Sequence, residues 1–170
     1  MNKIGVIYGS TTGTTEVIAY RIADKLNVPK EEVHEASKLN EAFIKECDVL
    51  VMGTSTWGAG ELQDDWYDGV KVLKQADLSH KFIALFGCGD SDSYSDTFCD
   101  GIGILYEDLK DTGCTFIGAT DTAGYTFDSS VSVINGKFIG LPLDEVNEDN
   151  KTEERITQWV GRLKKELDGK

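Results

Sequence analysis

The sequence predicts an α/β fold, a three-layer sandwich with a parallel sheet between two layers of helices. Three observations carry that prediction. The apolar runs Lys3–Tyr8, Asp48–Gly53 and Lys81–Phe86 show little alternation of polar with apolar residues, as expected of strands covered on both faces. Amphipathic stretches of helical length separate and follow these runs. Strands alternating with helices along a chain form doubly wound sheets, which bind ligands beyond the carboxyl ends of their strands, where the strand order reverses.

The first helix is predicted over Thr15–Leu26, with Val17, Ile18, Ile22 and Leu26 facing inward. A second covers Trp66–Lys74, with Val70 and Leu73 inward, and a third Phe98–Lys110. Short strands at Val33–Ala36 and Thr115–Ile117 bring the sheet to five. The Gly-, Ser-, Thr- and Asp-rich segment 118–140, with its Asn135-Gly136 turn signal, reads as a loop or hairpin inserted within the last strand, which resumes near Pro142. A closing helix over Thr152–Leu167 is expected to start at a Thr-Glu-Glu cap, with Ile156, Trp159, Val160, Leu163 and Leu167 at helical spacing.

A chain of 170 residues without internal repeats or a linker predicts a single domain spanning 1–170. Thirty acidic residues against 17 basic ones give a net charge of −13, which repels nucleic acid and anionic membranes and attracts basic protein faces. Cys47, Cys88, Cys99 and Cys114 form no C-x-x-C pair, and His34 and His80 stand far apart, which argues against zinc and against disulfides. The chain shows neither a leader-like opening nor an apolar run of the ~20 residues a membrane helix needs, so a cytoplasmic monomer is expected.

The three apolar strands all run into loops of unusual composition, which the predicted fold gathers at one rim. The first, Gly9–Glu16, offers the hydroxyls of Ser10, Thr11, Thr12, Thr14 and Thr15, a flexible Gly13 and the start of a helix, a set suited to a phosphate monoester. It lacks both the Gly-Lys-Ser/Thr of a P-loop and the glycine pattern of a dinucleotide fingerprint. The second, Thr54–Leu62, puts Trp57 on a glycine-rich turn, where its ring would meet water unless something flat covered it. The third, Gly87–Phe98, has glycines for close backbone approach and a second ring, Tyr94. Two rings beside a phosphate cradle describe a planar heterocycle carrying a tethered phosphate.

Ser10–Thr15, Ser55-Thr-Trp-Gly-Ala-Gly-Glu-Leu62, and Gly87-Cys-Gly-Asp90 with Tyr94 resemble the phosphate loop and the two ring loops of flavodoxins. Gly124–Asp128, Asn135–Glu145 and Trp159 resemble the long-chain subgroup of that family. The resemblance implies a five-stranded sheet in the order 2-1-3-4-5 and non-covalently bound flavin mononucleotide (FMN). It also implies one-electron transfer at low potential between redox enzymes, with partners of the ferredoxin/flavodoxin–NADP reductase and pyruvate oxidoreductase types. Carried over by position, Ser10, Thr11, Thr12, Gly13, Thr14 and Thr15 hold the phosphate while Trp57 and Tyr94 sandwich the ring. Ser55, Thr56, Gly58, Ala59, Gly60, Cys88, Gly89, Asp90, Thr97, Phe98 and Cys99 complete the cofactor-binding set, much of it through backbone at the ring's polar edge. The Gly58–Ala59 peptide would face flavin N5, and glycine's freedom at positive φ would let its carbonyl turn toward a proton gained there.

Glu61, Asp90, Asp92 and Asp96 on the rim loops predict a negative field around the flavin. At an effective dielectric of 20, one such charge ~10 Å away opposes an added electron by about 1.7 kcal/mol, or ~70 mV. Asp64, Asp65 and Asp68 read as a docking surface for a basic partner, whereas Asp144–Asp149 reads equally well as solvated surface. No nucleophile with an adjacent base is apparent, so the chain is not expected to be an enzyme. A flavin-dependent reductase of the same fold would need one ring face open to a hydride donor. A phosphoacceptor regulator would need acidic residues after the first strand, where Tyr8-Gly-Ser-Thr stands instead.

Overall fold

The computed structural model describes residues 2–169. Five parallel positions make the central sheet, and one short antiparallel strand is added to it. Strand β1 (Ile4–Gly9) lies between β2 (Val33–Glu35) and β3 (Val49–Trp57), and β3 pairs with β5 (Phe82–Cys88). The fifth position is shared by β6 (Thr115–Ile117), paired to the first half of β5, and β10 (Leu141–Leu143), paired to its second half. With that split strand counted once, the order is the expected 2-1-3-4-5.

Alternation along the strands divides the core in two. Val6, Tyr8, Val49, Val51, Ala84 and Phe86 face α1 (Thr14–Lys25) and α5 (Asp149–Asp168), where Ile18, Ile22, Ile156, Trp159 and Leu163 meet them. Ile7, Leu50, Met52, Ile83 and Leu85 face the other layer, α2 (Glu41–Glu46), α3 (Asp65–Gln75) and α4 (Asp100–Leu109), where Ile44, Trp66, Leu73, Ile102 and Leu105 pack. Both fully buried tryptophans have partners for their indole N–H, Trp66 at the Gly53 carbonyl (2.8 Å) and Trp159 at the Gly118 carbonyl (2.7 Å).

Several sequence expectations are corrected here. Val17 does not face inward: it is 59% exposed, because the buried stripe of α1 is Ile18, Ala19, Ile22 and Ala23, with Leu26 beyond the helix end. The closing helix starts at Asp149 rather than at a Thr152 cap, and the buried Thr152 hydroxyl bonds the Glu145 carboxylate instead. The third predicted helix starts at Asp100 and not at Phe98, since a 3-10 turn over Ser95–Thr97 and a left-handed Cys99 (φ 53°) precede it. Thr54–Trp57 belongs to β3 and is not loop: Thr56 and Trp57 pair with Leu62 and Glu61 of β4 (Glu61–Leu62). Helix α2 was not foreseen, being six residues long with Ile44 as its one buried side chain and an Asn40 cap accepting from Phe43 N–H at 2.9 Å.

The insertion forms its own antiparallel sheet, β7 (Thr120–Asp121), β9 (Lys137–Phe138) and β8 (Val133–Ile134), with β9 central. Its serine-rich middle lies along the loop between β5 and α4. Phe98 N–H donates to Ser129 O, Asp128 and Ser129 N–H donate to Ser95 O, and Val131 N–H donates to the Asp100 carboxylate. The buried Ser132 hydroxyl accepts from Gly103 N–H (2.8 Å) and donates to Cys99 O (2.7 Å).

Candidate functional site

A cleft of about 350 Å³ opens at the carboxyl ends of the strands, where β1 and β3 lead in opposite directions across the sheet. Thr12 and Thr14 line it from the first loop, Ser55, Thr56, Trp57 and Gly58 from the β3–β4 hairpin, and Cys88, Gly89, Asp90, Tyr94 and Thr97 from the loop after β5. Glu145 and Val146, which follow β10, form a fourth wall that sequence reasoning missed. A signal for them existed, since a loop leaving the fifth strand must reach the same rim. Among the described residues, no lysine, arginine or histidine lines the cleft.

The first loop is built to offer donors outward. Gly13 takes φ 95° with nothing within 4 Å of where a side chain would begin, and its N–H donates to Ser10 Oγ at 3.0 Å. It stands at the N-cap of α1, and no side chain caps that helix, so the first-turn N–H groups of α1 lack the usual side-chain acceptor. Thr15 Oγ1 is buried, lies beside the Cys88 thiol and has no hydrogen-bond partner of good geometry. The exposed Thr11 accepts from Nε2 of the buried Gln63 at 3.1 Å, which fixes the loop to the hairpin.

The rings differ from ordinary core aromatics. Trp57 is 40% exposed and Tyr94 52% exposed, yet both line the cleft. Trp57 is held on a paired strand end and by its indole N–H to Ser55 Oγ (2.8 Å). Gly58, at φ 51°, turns the hairpin, with only the Glu61 side chain near the position a Cβ would take, at 3.7 Å.

Other residues of the predicted set stand back. Ser10, Thr11, Gly13, Thr15, Ala59 and Gly60 belong to the same loops without lining the cleft. Phe98 is buried among Tyr125, Phe127 and Phe138, and its backbone is bonded to Ser129 and Ser130. Cys99 is fully buried, its thiol directed at Gly87 O and Leu143 O. Gly89 N–H is donated to Leu143 O. Burial pushes the Cys88 thiol up to about 12 and Cys99 well above the ordinary range, so neither is a nucleophile at neutral pH. Among the described residues, no cluster of His, Cys, Asp and Glu suits a metal ion, and no helix is long and apolar enough to cross a membrane.

This geometry agrees with the comparisons to known proteins. The flavodoxin family model matches residues 6–159. The chain belongs to the flavodoxin family. It is 40% identical to flavodoxin 1 of Azotobacter vinelandii over 98% of both chains. It is 37% identical to flavodoxin 1 of Escherichia coli, covering 96% of this chain and 93% of that one. Among solved structures, Fusobacterium nucleatum flavodoxin bound to flavin mononucleotide superposes with a TM-score of 0.88 at 33% identity, covering 98% of this chain and 99% of that one. Flavodoxins are electron-transfer proteins, not enzymes.

Proposed function

We propose that this cleft holds FMN in a one-electron carrier, with its phosphate on residues 10–15 and its ring between Trp57 and Tyr94. The single observation that carries the reading is a juxtaposition. An uncapped helix terminus with an orphaned Thr15 hydroxyl lies at the same rim as two large rings left in water. Hydroxyl and N–H donors fit a phosphate, the exposed ring faces fit a flat heterocycle, and the volume accommodates a cofactor-sized group.

When bound, FMN supplies the redox chemistry, passing electrons singly. The protein's own residues set the conditions. Trp57 and Tyr94 exclude water and a hydride donor from the ring faces. The absence of a cation in the lining, with Asp90 and Glu145 on the walls, keeps the field negative and lowers the potential of the more highly charged reduced form. Gly58, already at positive φ, can present its carbonyl at the edge of the hairpin without a Cβ penalty.

Trp57→Ala or Tyr94→Ala should each weaken FMN binding by about 3- to 10-fold, from the ~0.5–1.5 kcal/mol an aromatic contact adds beyond area burial, and should raise the lower potential. Equilibrium titration and potentiometry would check this, and unchanged values in both variants would overturn the sandwich. Docking of basic redox partners belongs, on this reading, to the exposed Glu61, Asp64 and Asp68 beside the ring hairpin. Asp65 is less available because its carboxylate accepts from Gln63 Nε2 at 3.2 Å. Electron transfer from a basic reductase should slow steeply as salt rises from 0.1 M to about 1 M, where the Debye length falls to ~3 Å. A rate indifferent to salt and to Asp64→Asn with Asp68→Asn would remove the acidic rim from docking.

A further inference from the structure

The loop carrying Tyr94 is anchored from a residue that the acidic composition disguises as surface. Asp144 follows β10 and is fully buried. Its Oδ2 accepts from Ser91 N–H (3.1 Å), from the Ser91 hydroxyl and from Asn147 Nδ2 (3.1 Å). Its Oδ1 accepts from Val146 N–H (3.2 Å) and Asn147 N–H (2.9 Å). Asn147 Nδ2 reaches on to Asp90 Oδ1 at 2.8 Å, and that oxygen also gathers the N–H groups of Asp92 (3.1 Å) and Ser93 (2.9 Å). Asp90 O then accepts Tyr94 N–H at 2.9 Å. Every one of these donors to Asp144 is neutral, so the site is held by charge-assisted hydrogen bonds and not by an ion pair. Burial would raise the Asp144 carboxyl, but the bonds from Ser91 and Asn147 outweigh it and hold the group below the ordinary range.

We propose that Asp144 is a positioning residue for the flavin ring. Its carboxylate ties the loop of Asp90 and Tyr94 to the wall formed by Glu145 and Val146, and so fixes the height and tilt at which Tyr94 meets the ring. The inference rests on the reading that Tyr94 covers the flavin. A carboxylate is required because both oxygens receive donors. An amide at the same position would turn its own NH₂ against either Ser91 or the Val146 and Asn147 N–H groups.

The test uses FMN-loaded protein and three variants, Asp144→Asn, Ser91→Ala and Tyr94→Ala, with FMN dissociation and the visible circular dichroism of the bound flavin as readouts. Asp144→Asn should weaken FMN binding roughly tenfold, as expected for lost bonds to a charged group, and change the flavin dichroism. Ser91→Ala, which keeps the carboxylate and removes one donor, should shift both in the same direction by less, and serves if Asp144→Asn folds poorly. Combined with Tyr94→Ala, either variant should add less than its separate effect, because its route to the flavin is gone. If Tyr94→Ala alters affinity and dichroism while Asp144→Asn and Ser91→Ala leave both unchanged, or if the effects are fully additive, the positioning role is overturned. If Tyr94→Ala itself changes neither, the ring reading fails first and takes this inference with it.

Discussion

The two loops that frame the cleft are ordered by opposite means. Ser10–Thr15 is held by a bond from Gly13 N–H to Ser10 Oγ, by Val17 N–H to Gly13 O at the start of α1, and by the Gln63 side chain to Thr11. Its helix terminus is uncapped and its Thr15 hydroxyl is unpartnered. The stretch from Asp90 to Gly103 is bonded on one side by Asp144 and Asn147 and on the other by Asp128–Ser132. On the proposed reading, donors left unsatisfied in the first are free for a ligand, whereas those in the second already fix geometry before any ligand arrives. If the first loop holds the phosphate and the second places the ring, as proposed, mutations in the two loops should register in different measurements.

The largest effect should come from Thr15→Val, which removes a buried hydroxyl without changing shape. FMN affinity should fall by about 10- to 100-fold, the ~1.5–3 kcal/mol of a hydrogen bond to a charged group. Apoprotein stability should hold or rise, since an unpaired buried hydroxyl is lost. Its counterpart, Ser132→Ala, should do the reverse. Leaving Gly103 N–H and Cys99 O without that hydroxyl should cost about 1–3 kcal/mol in urea unfolding of the apoprotein, with a smaller change in FMN affinity. If the two variants behave alike in both assays, the contrast between the loops is wrong.

Acid should discriminate more gently. Asp144 and Asp90 titrate below the usual carboxylate value, Asp144 because the Ser91 and Asn147 bonds outweigh burial, and Asp90 chiefly through Ser93 N–H. A depressed folded pKa means stability that is present above the unfolded value of ~3.9 and is lost as pH falls through the folded one. Burial raises Asp100, which acts oppositely, its contribution being full below ~3.9 and lost as pH rises through its folded value. Amide exchange protection at Ser91, Ser93 and Asn147 should therefore decline as pH drops below about 4. Gly13, in a stretch from Ser10 to Thr15 with no titratable side chain, should show no matching decline. Loss of protection at all four together would mean that acid unfolds the domain as a whole and does not single out the second loop.

The layers, the strand order and the two exposed rings of the cleft were legible because apolar runs and rim glycines are local signals. Val17 misled because a helical stripe tolerates several phases, and only packing against the sheet selects one. The role of Asp144 was illegible because its partner Ser91 lies far away in sequence, on the loop after another strand, so that its charge resembled the surface acids around it. Helix α2 escaped because six residues with one buried side chain give no period to detect.

The fifth strand has a bearing on how this chain can be altered. It leaves the sheet at Ile117, opposite Ala84, and re-enters at Leu141, opposite Phe86, so the whole excursion skips the single register position at Leu85. A sheet interrupted so briefly is a natural port: the ladder on either side does not record how long the detour is, and closing a longer one costs little more entropy. Foreign sequence grafted at the Asn135-Gly136 tip would leave the hydrogen-bonded frame untouched, provided that the Asp128–Ser132 splint and the return to Asp144 are kept. A shortcut from Ile117 to Leu141 would preserve the sheet while cutting the splint away from the ring loop.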